Sequence, residues 1–243
     1  HLKLGYLSAK GIRFLVDNHK IQGLPETLGE IQPCHSCNIS KFPKRKFPKL
    51  STVYPNSRPL SAVSMDTMGP FRTTSRGGAR YNLTIVDHHT RQTWARPVAK
   101  KSEIPFHLIG WANQARNLKE TPIKILRTDN GTEFLNRTVS TWAHQQGILH
   151  QTSVPENPQQ NGLAESHNRL LTTIARTALL WSGAPNHWWA EAIVCAAHTL
   201  NHWPATFLKG TTPAEAWSGT KPSIETLHPW GCTAYTRIDP CKR

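Results

Sequence analysis

Two short stretches of this chain place a carboxylate where an apolar segment runs into a glycine-containing turn. The first is Arg127-Thr128-Asp129-Asn130-Gly131-Thr132-Glu133-Phe134, the second Gln159-Gln160-Asn161-Gly162-Leu163-Ala164-Glu165. Asp129 and Glu165 have 35 residues between them. A third acid, Asp66, lies upstream in Val63-Ser64-Met65-Asp66-Thr67-Met68-Gly69-Pro70. Three carboxylates delivered by separate elements suit a two-metal phosphoryl-transfer centre. Mg2+ is a hard cation that takes oxygen ligands and keeps several waters, so a few carboxylates suffice to hold it. Two such ions stabilise the attacking and leaving oxygens of an in-line displacement.

Taken singly, each acid has a plainer reading. Asp66 serves equally well as a turn or cap residue, Asp129 before Asn-Gly is a good turn former, and Glu165 alone reads as a solvated helix residue. Delivered together by separate elements, the three suit metal ligation. Asp87, ahead of His88-His89, reads as structural, and Glu133 as a helix-start acid favoured by the helix dipole. A separate constellation, Cys34-His35-Ser36-Cys37, offers two thiolates at a spacing suited to one tetrahedral zinc. His1 is a candidate third ligand, with His19 and His35 as the remaining candidates. The alternative is a pair of free thiols in a small helical unit.

The elements that must position these groups follow from periodicity. Residues 8–16 have a helical pattern. Residues 38–60 are broken by prolines and carry Lys41, Lys44, Arg45, Lys46 and Lys49 with no acid among them. Such a stretch suits tracking along a phosphate backbone, and equally a solvated linker. Residues 61–68, 81–87 and 92–98 predict three strands of an antiparallel meander. A helix follows over 102–118, with Phe106, Ile109 and Trp111 among its apolar positions. Then come a strand over 123–126, a helix over 133–146 and a strand over 148–154. A long helix from Gln159 carries Leu163, Leu170, Leu171, Ile174 and Ala178 as its apolar stripe, with Asn161, Glu165 and Asn168 on the other face. A further helix over 184–204 carries Trp188, Trp189, Ile193, Val194, Ala197 and Leu200. Thr211 or Thr212 caps a short helix that begins with Pro213. His228 to Tyr235 reads as a turn into a strand. Trp181, Trp188, Trp189 and Trp203 read as core or subunit-contact residues, and Cys195 and Cys232 as small buried ones.

This order predicts an α/β fold: a ribonuclease-H-like mixed five-stranded sheet with flanking helices, preceded by a small helical zinc-binding-like unit. The first and fourth strands would be neighbours, bringing Asp129 beside Asp66 while the long helix brings Glu165 across. The expected division is 1–50 for the zinc-binding-like unit, 51–60 for the basic linker, 61–183 for the core, and 184–243 for a helical extension and the start of a C-terminal region.

Composition sets the class of partner. With 29 Lys plus Arg against 15 Asp plus Glu, the formal charge is +14, which draws polyanions over long range. Nucleic acid is the first candidate. An anionic membrane is disfavoured, because there is no basic amphipathic helix with a clean apolar face and no apolar run near the roughly 18 residues of a membrane span. No signal peptide is visible. Five cysteines, an odd and sparse set, fit a reducing compartment better than a disulfide framework. The chain opens on His1, which reads as a fragment or processed product.

With these motifs in order, the chain resembles the integrases of copia-type long-terminal-repeat retrotransposons over nearly its whole length. His1-Leu2-Lys3-Leu4-Gly5-Tyr6 resembles the family's H-x-x-L-G-H opening, and Cys34-His35-Ser36-Cys37 its C-x-x-C. Asp66, Asp129 and Glu165 fall on its D, D-N-G-x-E-F and Q-Q-N-G-x-A-E motifs, and His228 to Tyr235 resembles its F-G-C-x-A-Y region. The resemblance implies metal-dependent DNA strand transfer, inserting the ends of the element's cDNA into host DNA. Asp66, Asp129 and Glu165 would then be the catalytic residues and ligands of Mg2+ or Mn2+, and no covalent protein intermediate is expected. It also implies Zn2+ on His1, Cys34 and Cys37, and DNA contacts by Gln160, Asn161 and Asn168, to which the residues add Lys44, Arg45 and Lys46. The implied partners are element cDNA ends, host target DNA and further copies of the chain. The implied location is the nucleus, reached by way of cytoplasmic virus-like particles. Two positions depart from the pattern: Tyr6 stands at the second zinc histidine, and Ser166 where the family usually has arginine. A nuclease or DNA transposase of the same fold, and a catalytically decayed nucleic-acid-binding relic, are the competing readings.

Overall fold

The structure, a computed structural model, describes residues 9–18, 25, 27, 29, 58–153 and 161–235. His1, Tyr6, His19, Cys34, His35, Cys37, Lys44, Arg45, Lys46 and Gln160 lie outside the described residues. The chain divides into two compact units, 1–54 and 55–243. In the first, helix α1 (Ala9–Asp17) buries Ile12 and Val16, one turn apart on one face.

The second unit is built on five strands. β1 (Ala62–Met68), β2 (Tyr81–Asp87) and β3 (Thr93–Val98) form the antiparallel meander. β1 also pairs in parallel with β4 (Ile125–Thr128), and β4 in parallel with β5 (Leu149–Thr152), giving the order β3-β2-β1-β4-β5. The helices are α2 (Ile104–Lys119), α3 (Arg137–Gln145), α4 (Gly162–Ser182), α5 (Trp189–Leu200) and α6 (Pro213–Ser218). This is the ribonuclease-H-like plan expected from the element order.

Strand side chains alternate between faces, and each face has its own core. Val63, Met65, Leu83, Ile85 and Leu126 pack with Ile104, Leu108 and Trp111 of α2 and Val139 and Trp142 of α3. On the opposite face, Leu171 and Ala175 of α4 pack with Trp189, Ile193, Ala196, Ala197 and Leu200 of α5, over Met68 and Ala95.

Several boundaries differ from the sequence expectation for identifiable reasons. α3 begins at Arg137, not at Glu133, because Asn136 supplies the cap: its Oδ1 accepts from the Val139 N–H at 3.0 Å. Glu133 instead turns inward to Lys101. On α2, Phe106 is 77% exposed, and the buried stripe is Ile104, Leu108, Trp111, Ala112 and Ala115. On α4, Leu170 faces out and the buried face is Ala164, Asn168, Leu171 and Ala175. Val194 is exposed on α5. Thr212 caps α6 as expected, accepting from the Glu215 N–H at 3.1 Å. Residues 228–235 turn at Trp230-Gly231 without forming a strand. Cys232 is exposed and Cys195 half-buried, so neither is a core residue. Trp189 is buried and stacks on Phe71 with ring centroids 4.0 Å apart, whereas Trp181 and Trp203 are exposed.

Candidate active site

Asp66 sits on the α4-facing side of β1. The parallel register pairs Ser64 with Arg127, so two residues further along, Asp129 follows β4 on the same side as Asp66. Adjacent strands run about 4.8 Å apart, which makes these two acids lateral neighbours at the centre of the sheet. Glu165 comes from the first turn of α4 and is exposed.

Each sheet acid is held by the local backbone. Asp66 Oδ1 accepts from the Thr67 N–H at 2.9 Å, and its Oδ2 accepts from Asn168 Nδ2 at 2.7 Å. Asp129 Oδ1 accepts from the Gly131 N–H at 3.0 Å, an Asx-type turn. Burial raises the Asp66 pKa to about 6. The Thr67 N–H opposes that rise, while repulsion from Asp129 and Glu165 adds to it. Asp66 therefore lies within electrostatic reach of both other carboxylates. The three do not close into a cage: among the described residues, no group of three His, Cys, Asp or Glu side chains is arranged to hold a metal ion.

The donor chemistry nevertheless fits a hard divalent cation. All three groups present carboxylate oxygens, and the repulsion they exert on Asp66 is what a cation would offset. Mg2+ is commonly held by one or two carboxylates together with waters and substrate phosphates, so a pairwise approach is a geometry it uses.

The two asparagines read as DNA contacts are both buried against β1. Asn161 Nδ2 donates to the Met65 carbonyl at 3.1 Å, and Asn168 donates to Asp66. They lie on the packed face of α4 and not opposite it. Ser166 turns its hydroxyl onto its own helix, at the Leu163 carbonyl. Asp87 is structural, as read: it is fully buried and accepts from the Leu60 N–H and from both the N–H and hydroxyl of Thr90.

Two groups of residues around the site went unread in the sequence. Beside Asn168, an open depression of about 390 Å3 is lined by Met68, Arg169, Thr172, Thr173 and Arg176. Arg169 and Arg176 lie four and eleven residues beyond Glu165 on the same helix, a spacing that could have flagged them. The second group is a buried polar layer between sheet and helix. Ser64 Oγ and His88 Nε2 lie 2.7 Å apart, as do Thr93 Oγ1 and His167 Nδ1 at 2.8 Å. Burial lowers the pKa of His88 to about 3 and that of His167 to about 4, so both imidazoles are neutral at pH 7.

Residues 56–158 match the family model of the integrase core domain. The chain is 29% identical to the Retrovirus-related Pol polyprotein from transposon TNT 1-94 of Nicotiana tabacum over 98% of its own length and 18% of that protein. It is 30% identical to the corresponding polyprotein from transposon RE2 of Arabidopsis thaliana, over 100% of its own length and 16% of that protein. It thus spans less than a fifth of these relatives. The solved HTLV-2 integrase catalytic core domain in complex with magnesium (trimeric form) superposes with a TM-score of 0.50 at 22% identity. That likeness, one of fold, covers 66% of this chain and 97% of that one.

Proposed function

We propose that this chain is the integrase of a copia-type retrotransposon, a polynucleotidyl transferase that processes the 3′ ends of element cDNA and joins them to host DNA. The observation that carries this reading is geometric: Asp66 and Asp129 follow one another across the parallel β1–β4 register, and Glu165 opens the helix whose Asn168 bonds Asp66. The integrase core domain match over 56–158 supports it.

In this reading Asp66, Asp129 and Glu165 hold Mg2+ or Mn2+, which when bound supplies charge stabilisation at the scissile phosphodiester. The chain's own residues do the positioning. Thr67 N–H and Asn168 Nδ2 fix both oxygens of Asp66, and Gly131 N–H fixes Asp129. Arg169 and Arg176 border the open depression beside Asn168 and offer charge to a phosphate backbone. Gln160, Lys44, Arg45 and Lys46 remain candidate DNA contacts, whereas the burial of Asn161 and Asn168 gives both a structural role. Zn2+ on His1, Cys34 and Cys37, assembly into multimers, and entry into the nucleus from cytoplasmic virus-like particles belong to the same proposal.

The test is strand transfer with paired short duplex ends and Mg2+. Asp66→Asn, Asp129→Asn and Glu165→Gln should each abolish joining while DNA binding persists. Joining retained by any one of them would remove that carboxylate from the site.

A further inference from the structure

The turn that carries Asp129 rests on a polar support that the reading above does not use. Lys101 opens the short 3-10 turn Lys101–Glu103 ahead of α2. Its Nζ donates to Glu133 Oε1 at 2.6 Å, across 32 residues of sequence. The Glu133 side chain is 3% exposed and that of Lys101 47%. A buried carboxylate without a partner is costly, so Lys101 is what allows Glu133 to sit where it does.

Where it sits is against Gly131. A Cβ placed on Gly131 would stand 2.8 Å from both Cδ and Oε2 of Glu133, and 3.0 Å from Asp129 Oδ1. Both carboxylates thus close on the same glycine, whose N–H is already given to Asp129. The Gly131 carbonyl in turn accepts from the N–H groups of Phe134 and Leu135, each at 2.9 Å. Phe134 is fully buried in the α2-side core. The turn is therefore held on one side by Phe134 and on the other by a carboxylate that, among the described residues, Lys101 keeps in place.

We propose that the Lys101–Glu133 pair is a positioning device for Asp129, fixing the Asp129–Gly131 turn and hence the point at which the Asp129 carboxylate meets a divalent cation. This rests on the reading of Asp129 as a metal ligand. A plain charge effect would have the opposite sign. Lys101 interacts electrostatically with Asp129 as well as Glu133, so removing its positive charge should by Coulomb's law tighten cation binding. Loss of positioning should weaken it.

The experiment is calorimetric titration of the full chain with Mn2+, without DNA, alongside far-UV circular dichroism. Lys101→Met should weaken Mn2+ binding by about tenfold or more, the usual effect of removing a group that orients a metal ligand, and Lys101→Arg should restore it. The double variant Lys101→Met/Glu133→Gln leaves no unpaired charge, so it folds even if Lys101→Met does not. It should bind Mn2+ about tenfold or more weakly than the parent, as Lys101→Met does. Mn2+ binding by Lys101→Met or the double variant as tight as the parent's, or tighter, would overturn the proposal. Asp129→Asn is measured in parallel: unchanged affinity there would show that the ligand reading itself is what fails.

Discussion

Asn168 Nδ2 donates to Asp66 Oδ2 at 2.7 Å, joining the packed face of α4 to the carboxylate at the centre of the sheet. Because this bond favours the ionised carboxylate, it works against the burial that raises the Asp66 pKa to about 6. Asn168→Leu should therefore push the Asp66 pKa further up, and the acid limb of the pH–rate profile for strand joining should move to higher pH. A profile whose acid limb does not move would show that Asp66 does not control it.

The same pKa has a consequence for stability. The folded value of about 6 lies above the ordinary 3.8, so the folded state binds the proton more tightly. The stabilisation this brings is fully present below about pH 4 and is lost as pH rises through 6. Asp66→Asn should accordingly melt higher than the parent near pH 7.5 in the absence of metal, with the gap closing near pH 4. The ceiling is about 3 kcal/mol. Asn168 can adapt by turning its amide, since its Oδ1 has no partner as it stands. Thermal melts at the two pH values decide the matter.

His88 has the opposite sign. Its folded value of about 3 lies below the ordinary 6.5, so the unfolded chain takes up the proton first. Its stabilising contribution is present above pH 6.5 and is lost as pH falls toward the folded value. His88→Gln lacks this titration, so between pH 7.5 and 5 the parent should lose up to about 2 kcal/mol more stability than the variant. Equal losses measured by urea unfolding would count against a buried neutral His88.

Gly231 lies in the segment after α6 with a φ of 81°, and a Cβ there would meet Ser182 Cβ at 2.5 Å. A side chain faces both a left-handed backbone and a collision with the end of α4. Gly231→Val should lower stability by about 1–3 kcal/mol. It should also speed proteolytic cleavage within 227–235. Unchanged melting and cleavage would mean that this segment does not depend on that contact.

Strands β1 to β3 were legible because their alternation leaves one choice of face, and the parallel β1–β4 pairing followed from the element order. The inward face of α4 was not. Periodicity favoured its leucines, yet Leu170 points outward while Ala164, Asn168 and Ala175 pack inward. Small residues let the helix approach closely, and Asn168 is tolerated there because a carboxylate on another element satisfies it. Hydrophobic pattern carries no information about such a partner. Glu133 was misplaced for the same reason: its partner, Lys101, is far away in sequence. The positions of the three acids were legible, but the hydrogen bonds that hold Asp66 and Asp129 were not.

Along β1, the Met65 carbonyl accepts from Asn161 and the Asp66 carboxylate from Asn168. Adjacent residues of one strand are thereby matched to the cap and the second turn of one helix. Apolar contact would let α4 slide or rotate by a residue at little cost, but these bonds are directional, and a shift would leave buried groups unmatched. The helix is indexed to the strand like a key cut to its wards, so Glu165 can be presented from only one place along the edge of the site.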